Sequence, residues 1–410
     1  TNQQRGSFPE CELSACGNGT LAADALEDAL DKIRAEEFLM APLPNASIAL
    51  TRIAHGSCAN QVKQQVFWEA VTQMNPQLFV FNGDIVYGDC GRSDSSGHCA
   101  ELTDAWRDLF SNRNFAAVRA SLPILGALDD HDYGQNDCGA ENPYKHFARA
   151  HFLRRFGALP TDPRWKRQGV YMSEMLGPMG QRLQILLSDT RWSKSRYLPT
   201  DCDMCPGKER YIAYNASGEG AVPEGLTMLG EEQWAWLEAE LRKPADVRLF
   251  FSTVQVIAEG HGWERWGLIP SEKMRLFQLV RSTAANGVVF ITGDRHVGGL
   301  YKEASAPNGP PYDLHELTSS SLTHTFRGAG PDRDEAGPNR IGDLIHENHV
   351  GVVDIDWERR EILLKLVAAD DCGVSAQPWG EQCVAPASGV QGEVLLQTTL
   401  SLRDLQVQAR

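Results

Sequence analysis

Short apolar segments alternate with longer helical segments through most of this chain, and this alternation constrains the fold more than any other feature. The predicted strands are Ser47–Ile53, Leu78–Phe81, Leu122–Leu128, Leu183–Leu187, Val247–Ser252 and Val288–Thr292. The predicted helices are Gln61–Met74, Leu102–Ala120, Tyr144–Phe156, Gly230–Arg242 and Glu272–Ala285. Alternation of this kind indicates an α/β domain with largely buried strands.

The pattern changes after residue 312, where apolar runs follow one another with little helix between them. Further strands are predicted at Leu314–Leu317, Val350–Trp357, Glu361–Leu366 and Glu393–Leu402. We expect these strands to form a second sheet that packs on the first. Residues 1–46 are predicted to be an N-terminal extension with a cysteine loop and a helix near Leu21–Phe38. Residues 47–402 are predicted to form the main domain, and residues 403–410 a C-terminal tail.

Polar side chains follow five of the predicted strands. The clusters are His55-Gly-Ser-Cys58, Asn82-Gly-Asp84, Asp129-Asp-His-Asp132, Ser188-Asp-Thr-Arg191 and Gly293-Asp-Arg-His296. Because ligands of open α/β sheets bind beyond the carboxyl ends of the strands, we expect the clusters to converge. One Asp after a strand is often only a turn or a helix cap, but five clusters together indicate a functional site. The carboxylates around His131 would repel one another without a bound cation, which points to a metal.

Signatures of other catalytic classes are missing from the sequence. It contains no GxSxG elbow, no GxxxxGK[ST] loop and no GxGxxG fingerprint, which argues against a serine hydrolase, a P-loop enzyme and a dinucleotide-binding enzyme. The segment His346-Glu-Asn-His349 is one residue short of the HExxH metalloprotease motif. We therefore interpret it as structural.

Charge and cysteine content indicate the compartment and the partners. The net charge of −15 argues against a general nucleic-acid surface, and no apolar run approaches the roughly 20 residues of a membrane span. The close cysteine pairs favour disulfide-stapled loops; they are Cys11/Cys16, Cys90/Cys99, Cys202/Cys205 and Cys372/Cys383. The zinc alternative at Cys202-Asp-Met-Cys205 lacks a second CxxC. We expect a secreted or periplasmic protein in its mature form, without a signal peptide. The oligomeric state is left open.

Taken together, the motifs resemble those of the PhoD-like phosphatases, a branch of the calcineurin-like metallophosphoesterases. The resemblance covers about residues 48–368. The matching segments are His55–Cys58, Asn82–Asp89, Asp129–Asn136, Ser188–Arg191, Gly293–His296, Leu317–His324 and Glu347–Asp354. It implies a two-sheet sandwich flanked by helices, in the order α/β/β/α.

The resemblance also implies a set of metal ligands. They are Cys58, Asp84 as the bridging carboxylate, Tyr87, Asp89, Asn136, Asp294 and His296. Asp130 stands where the family has asparagine, so either Asp130 or Asn136 supplies the remaining oxygen. Thiolate and phenolate suit ferric iron, and carboxylate and amide suit calcium, so Fe(III) and Ca²⁺ are expected, with zinc or manganese as alternatives to iron. The alternatives for Cys58 are a buried free thiol or a disulfide with Cys138, and for Tyr87 an ordinary packed aromatic.

The family chemistry predicts hydrolysis of a small phosphate ester by a hydroxide held between two metals. His131 is the predicted general acid. Arg191 and Arg295 are predicted to bind phosphoryl oxygens, with salt bridges to nearby Asp residues as the alternative. The segment His261–Trp266 is predicted to wall the pocket. A phospholipase D-like diesterase and a non-catalytic binding protein on the same scaffold are the competing hypotheses.

Overall fold

The computed structural model describes residues 40–91, 99–200, 210–214, 223–326, 335, 337–370 and 390–407. The helix predicted near Leu21–Phe38 and the pairs Cys11/Cys16, Cys202/Cys205 and Cys372/Cys383 lie outside these residues, and the predicted domain boundaries stay predictions. Cys90 and Cys99 form the disulfide expected from their spacing. Among the helices described, none is both long enough and apolar enough to cross a membrane.

Strands and helices alternate through much of the chain up to β9, except that β4, β5, β6 and β7 follow one another without an α-helix between them. The strands are β1 (Arg52–Gly56), β2 (Leu78–Asn82), β3 (Ile124–Ala127), β4 (Met172–Leu176), β5 (Leu183–Leu187), β6 (Leu198–Pro199), β7 (Tyr211–Ile212), β8 (Val247–Ser252), β9 (Val288–Thr292), β10 (Gly298–Glu303), β11 (Leu314–Ser319), β12 (Arg340–Ile345), β13 (His349–Asp356), β14 (Glu361–Ala368) and β15 (Val394–Ser401). The helices are α1 (Phe67–Met74), α2 (Ala100–Ser111), α3 (Arg113–Arg119), the single turn α4 (Asp130–Tyr133), α5 (Lys145–Arg155), α6 (Gly230–Leu241) and α7 (Pro270–Ser282). Short 3₁₀ helices lie at Pro163–Trp165 and Trp266–Leu268.

Two mixed sheets form the centre of the molecule. The first has the strand order β15-β14-β13-β1-β2-β3, and the second has the order β12-β10-β11-β9-β8-β5-β4. The pairs β1–β2, β2–β3, β5–β8, β8–β9 and β9–β11 are parallel. The central strands β2, β5, β8 and β9 are buried along their whole length, which explains why they appear as continuous apolar runs in the sequence.

The expectation that the strands after residue 312 form a separate second sheet is wrong. In the first sheet, β13 pairs antiparallel with β1, β14 with β13, and β15 with β14, whereas β11 and β12 join the second sheet. The strands of the last third of the chain are therefore divided between the two sheets. Apolar periodicity shows that a segment is a strand, but it does not show which neighbour the strand pairs with.

Turn chemistry shifts several predicted boundaries. The first strand starts at Arg52 rather than Ser47, because the Asn45 side chain accepts a hydrogen bond from the Ser47 amide and folds that segment into a turn. The helix predicted at Leu102–Ala120 is two helices. Asn112 ends α2, and its side chain caps α3 by accepting from the amides of Asn114 and Phe115. The strands β4, β6, β7, β10 and β12 were not predicted from the sequence.

Helices cover the outer face of each sheet and complete the α/β/β/α arrangement. On the first sheet, Trp68 of α1 packs against Phe79 and Phe81 of β2, with ring centroids 5.0 and 5.6 Å apart. On the second sheet, Phe277 of α7 packs against Phe290 of β9. The face between the sheets is filled by apolar side chains of both, and burial of this kind is the main stabilising contribution to folding.

Asn82 joins the two sheets at the end where the predicted site lies. Its side-chain amide, on β2, donates hydrogen bonds of 3.1 Å to the carbonyl oxygens of Ser252 and Ile291, on β8 and β9. The residue is fully buried. Because these carbonyls belong to the other sheet, Asn82 fixes the two sheets relative to each other next to Asp84.

The substitution Asn82→Asp should therefore lower the free energy of unfolding by about 3 kcal/mol, since a buried oxygen would face two carbonyl oxygens that have lost their donor. Urea unfolding measures the change. Asn114→Asp is the matched control, because Asn114 is exposed in the first turn of α3, where an acid is tolerated. Equal stability of the two variants would contradict the role assigned to Asn82.

Candidate metal centre

The polar clusters that follow the strands meet at one end of the sandwich. They surround a cavity of about 80 Å³ that is lined by Asp84, Asp130, His131, Asn136, Asp137, Arg210, Trp263, Glu264, Asp294, Arg295, His296 and Phe326. Seven of the predicted site residues lie in this lining. Of the remaining four, Cys58 and Tyr87 contact Asp84, Asp89 contacts His131, and Arg191 contacts Asp129.

One group of donors surrounds the Asp84 carboxylate with sulfur, phenol and imidazole. The Cys58 Sγ lies 3.4 Å from Asp84 Oδ2, and the Tyr87 hydroxyl lies 3.2 Å from the same oxygen. The Tyr87 hydroxyl is also 3.1 Å from His296 Nε2. Ligand atoms of Cys58, Asp84 and His296 all lie within 4.8 Å of one another. The four residues predicted for the iron site are thus brought together.

His324 also belongs to this group, although sequence reasoning gave it no role. Its Nε2 lies 3.2 Å from the Tyr87 hydroxyl, and its Nδ1 lies 3.0 Å from the Thr323 hydroxyl. The Thr323 hydroxyl donates to the Cys58 carbonyl, so Nδ1 of His324 carries the proton in that pair. Nε2 is then left as an acceptor that faces Tyr87. The sequence feature that could have indicated a role for His324 was its place at the end of the family-like segment Leu317–His324.

The second group of donors consists of carboxylates. Asp84 and Asp130 form one set with His131, and Asp129 and Asp130 form another with Asp294. Asp84 Oδ1 and Asp130 Oδ1 are buried and have no hydrogen-bond partner. Asn136 lines the same cavity. The sequence left a choice between Asp130 and Asn136 as oxygen donors, and both lie at the site. Glu264 and Asp137, which the sequence analysis missed, form a further set with Asp130.

This concentration of acidic groups fits bound cations. Burial raises the pKa of Asp84 well above its usual value, and the nearby Cys58 and Asp130 raise it further. Burial and Glu264 likewise raise the pKa of Asp294 well above its usual value. Burial raises the pKa of the Cys58 thiol to about 12. Such groups hold a negative charge only next to positive charge, and unpartnered carboxylate oxygens are the donors that a cation requires.

The backbone is unusual at the donors. Cys58, Asp84, Asp294 and His296 all have positive φ, between 48° and 67°. A non-glycine residue in this region costs about 1–3 kcal/mol, and such residues cluster at functional sites. Gly83, next to Asp84, also has positive φ, and a Cβ there would lie 2.4 Å from the Cβ of Asp129, so a larger residue would be strained at this position.

His131 lies on the wall of the cavity and is oriented by Asp89. Its Nδ1 is 2.7 Å from Asp89 Oδ2, and its ring packs on Tyr87 with centroids 4.2 Å apart. Burial lowers the pKa of His131, but the carboxylates of Asp89, Asp130 and Asp84 outweigh it and raise the pKa well above its usual value. Among the described residues, Asp89 is in none of the sets of closely spaced His, Cys, Asp and Glu donors.

Arg191 is fully buried and paired with acidic side chains. Its Nε donates to Asp129 Oδ1 at 2.5 Å, and its Nη1 donates to Glu264 Oε2 at 2.6 Å. Lys194 binds the other oxygen of Glu264 at 2.7 Å. These contacts favour the salt-bridge alternative for Arg191 over direct binding of a phosphoryl oxygen.

Arg295 lies on the cavity wall beside two aromatic rings. Its guanidinium group is 5.4 Å from the Trp263 ring and 5.6 Å from the Phe326 ring, and its Nη2 lies 3.4 Å from Glu335. Trp263 thus lines the cavity, as predicted for its segment, whereas Trp266 is buried in the core. Cys58 and Cys138 are both free thiols, so the disulfide alternative is not formed.

Two mixed sheets packed face to face, covered by helices and carrying these donors at one end, define the metallophosphatase class of fold. The chain belongs to the PhoD-like phosphatase family, whose family model matches residues 53–365. The family and the two-sheet fold expected from the sequence are confirmed.

Solved structures agree with this assignment. The structure of PhoD matches with a TM-score of 0.62 and 15% identity, covering 80% of this chain and 67% of that one. A purple acid phosphatase from yellow lupin (Lupinus luteus) seeds matches with a TM-score of 0.50 and 12% identity, covering 89% of this chain. The chain spans 56% of the length of that phosphatase. At these identities the likeness shows the fold alone. Curated protein sequences give no match.

Removing the positive charge of Arg191 should strongly destabilise the protein. Arg191→Met leaves Asp129 and Glu264 buried without their main partner, and breaking a buried pair in this way costs about 3–5 kcal/mol. Urea unfolding of the protein as isolated measures the change. The control is Arg107→Met, which removes a pair with Asp104 in which both side chains are largely exposed, worth about 1 kcal/mol or less. A cost for Arg191→Met no larger than the control's would contradict the buried-pair role.

Proposed function

We propose that this protein is a metal-dependent hydrolase of small phosphate esters that acts outside the cytoplasm. The observation that carries the proposal is the position of the Asp84 carboxylate. Its Oδ2 faces the Cys58 and Tyr87 donors, and its Oδ1 is buried without a partner beside the acidic group. A carboxylate placed in this way suits a bridge between two cations.

The two donor groups differ in chemistry, and we propose that they bind different metals. Cys58, Tyr87, Asp84 and His296 supply thiolate, phenolate, carboxylate and imidazole, a set that suits ferric iron. Asp130, Asn136 and Asp294 add only oxygen donors, and these suit calcium. Bound cations would lower the pKa of water to make a hydroxide nucleophile and neutralise charge on the phosphoryl group.

The protein side chains would then bind and protonate the ester. His131 is the proposed general acid for the leaving oxygen, and the carboxylate of Asp89 holds its ring in place. Arg295 would bind a phosphoryl oxygen, because its guanidinium group lies on the cavity wall beside the Trp263 and Phe326 rings, with Glu335 3.4 Å from its Nη2. Arg191 would act indirectly by holding Asp129 in place.

The Cys90–Cys99 disulfide supports the proposed location, because disulfides persist in oxidising compartments outside the cytoplasm. The exposed Asn45 of the sequon Asn45-Ala-Ser is compatible with it. The non-catalytic alternative predicts loss of donors, and this chain keeps Cys58, Asp84, Tyr87 and His296 in mutual contact.

Elemental analysis and the visible spectrum of protein purified without chelator test the metal assignment. We expect iron and calcium near one each per chain, and a colour from thiolate and phenolate bound to ferric iron. Cys58→Ser and Tyr87→Phe should each change the spectrum. A colourless protein containing zinc or manganese would remove the iron assignment and keep the metal site. Protein without bound metal would contradict the proposal.

Hydrolysis of esters with different leaving groups tests the role of His131. His131→Gln should lower kcat by about 10²–10⁴-fold for an alkyl phosphate, whose alkoxide needs a proton, and by much less for 4-nitrophenyl phosphate. His315→Gln is the control, because His315 lies on β11 outside the cavity lining. Equal losses of kcat for the two esters would contradict the general-acid role and indicate that His131 is a metal ligand or a positioning residue.

The diester bis(4-nitrophenyl) phosphate, assayed beside the monoester, separates phosphodiesterase from phosphomonoesterase activity. Activity on either ester should disappear with a chelator and return with the metals. If metal-replete protein hydrolyses neither ester, the hydrolase proposal is contradicted.

A further inference from the structure

The segment that begins at Ser319, the last residue of β11, and ends at Thr323 runs along the loop that carries Cys58. The Ser57 amide donates to the Ser319 carbonyl at 3.1 Å, and the Leu322 amide donates to the Ser57 carbonyl at 3.1 Å. Thr323 adds two bonds to the Cys58 carbonyl, from its amide at 3.3 Å and its hydroxyl at 2.9 Å. The backbone of Cys58, which has positive φ, is therefore held from the second sheet.

Ser320 brings a hydroxyl to the sulfur from this segment. Its Oγ lies 3.1 Å from Cys58 Sγ, and the same oxygen accepts the backbone N–H of His296 at 2.8 Å. The hydrogen bond from the His296 amide uses a lone pair of the Ser320 hydroxyl and leaves the hydroxyl proton free to donate. Since a metal-binding cysteine is a thiolate and has no proton to give, Ser320 must be the donor in that pair.

His349 holds Ser320 in this position from β13. Its Nδ1 lies 2.8 Å from the Glu347 carbonyl, which only accepts, so Nδ1 carries the proton. Its Nε2 then accepts the amide of Ser320 at 3.2 Å, and its own amide donates to the Ser321 carbonyl at 2.9 Å. The ring is fully buried, and Gly298 makes room for it, because a Cβ there would lie 2.9 Å from Nε2.

We propose that Ser320 tunes the metal site by donating a hydrogen bond to the Cys58 thiolate, and that His349 is the residue that positions Ser320. This inference rests on the proposed function, because it requires Cys58 to bind a metal. It gives a role to the second histidine of the segment His346–His349, which is a positioning residue and touches neither substrate nor metal.

The physical effect follows from charge on sulfur. A hydrogen bond to a thiolate withdraws electron density from it, which weakens donation to the metal and raises the reduction potential of the metal. Removing the bond should move the thiolate-to-metal charge-transfer band to longer wavelength.

Cobalt(II) serves as the probe, because cobalt bound to thiolate has a charge-transfer band whatever the native metal is. The full chain is loaded with cobalt, and the absorption spectrum is measured for four proteins. Wild type should show the band, Cys58→Ser should lack it, and Ser320→Ala should show it at longer wavelength. Ser321→Ala is the matched control, because the Ser321 hydroxyl is buried in the same segment without a hydrogen-bond partner, and it should behave as wild type.

Two variants of His349 test the positioning role separately. His349→Ala should shift the band in the same direction as Ser320→Ala. His349→Gln should return the band to its wild-type wavelength, because a glutamine oxygen can accept a hydrogen bond from the Ser320 amide in place of Nε2. A structural role alone would lower the melting temperature without moving the band.

The outcomes separate this inference from the proposed function. An unshifted band in Ser320→Ala, or an equal shift in Ser321→Ala, overturns the hydrogen-bond inference while ester hydrolysis by the wild-type protein stands. Lack of the band in cobalt-loaded wild type removes Cys58 as a ligand and overturns the inference with its premise. Lack of ester hydrolysis by protein with a normal band pattern contradicts the proposed function and leaves the Ser320 contact intact.

Discussion

Buried negative charge at the shared end of the two sheets is the constraint on which the rest of this site depends. Asp84, Asp129, Asp130 and Glu264 are almost completely buried there. Isolated buried carboxylates are unfavourable by several kcal/mol each, so each needs a partner. Arg191 pairs with Asp129 and Glu264, and Lys194 also pairs with Glu264. The charges of these two carboxylates are therefore balanced by side chains of the protein. Asp84 Oδ1 and Asp130 Oδ1 have no hydrogen-bond partner, although Asp130 Oδ1 lies 3.6 Å from Arg191 Nη2, and these oxygens are the ones available to the proposed cations.

The site thus contains two kinds of acidic residue that look alike in the sequence: those whose oxygens accept hydrogen bonds from basic side chains, and those with an oxygen that has no hydrogen-bond partner. Asp129 and Asp130 are neighbours, yet Asp129 accepts from Arg191 and Thr253, whereas Asp130 Oδ1 has no hydrogen-bond partner. The buried guanidinium group donates hydrogen bonds to Asp129 and Glu264, whereas its Nη2 lies 3.6 Å from Asp130 Oδ1, an ion pair without a hydrogen bond.

Contacts from both sheets of the sandwich stabilise the strained loops that carry the proposed donors. Positive φ at Cys58, Asp84, Asp294 and His296 is unfavourable for each residue taken alone. The loops are held because strands from both sheets and from distant parts of the chain converge on them. Asn82 ties β2 to β8 and β9, and the segment after β11 binds the Cys58 loop along its length. A site made from one sheet alone would lack these restraints.

The sequence by itself determined the parallel core and pointed to most of the proposed donors. The strands Leu183–Leu187, Val247–Ser252 and Val288–Thr292 have the predicted bounds, because runs buried on both faces are apolar throughout. The clusters after the strands contained Cys58, Asp84 and His296, and their convergence was expected because a parallel sheet places its carboxyl ends together. Tyr87 came from the family resemblance.

Only the tertiary structure decided how the last third of the chain divides between the two sheets, because antiparallel pairing depends on partners far away in sequence. It also decided that Arg191 is enclosed by acids, that Asp89 contacts His131, and that His324 and Ser320 reach the Tyr87 and Cys58 side chains. These roles depend on distances between segments that lie up to 262 residues apart. Local sequence patterns carry no information about such distances.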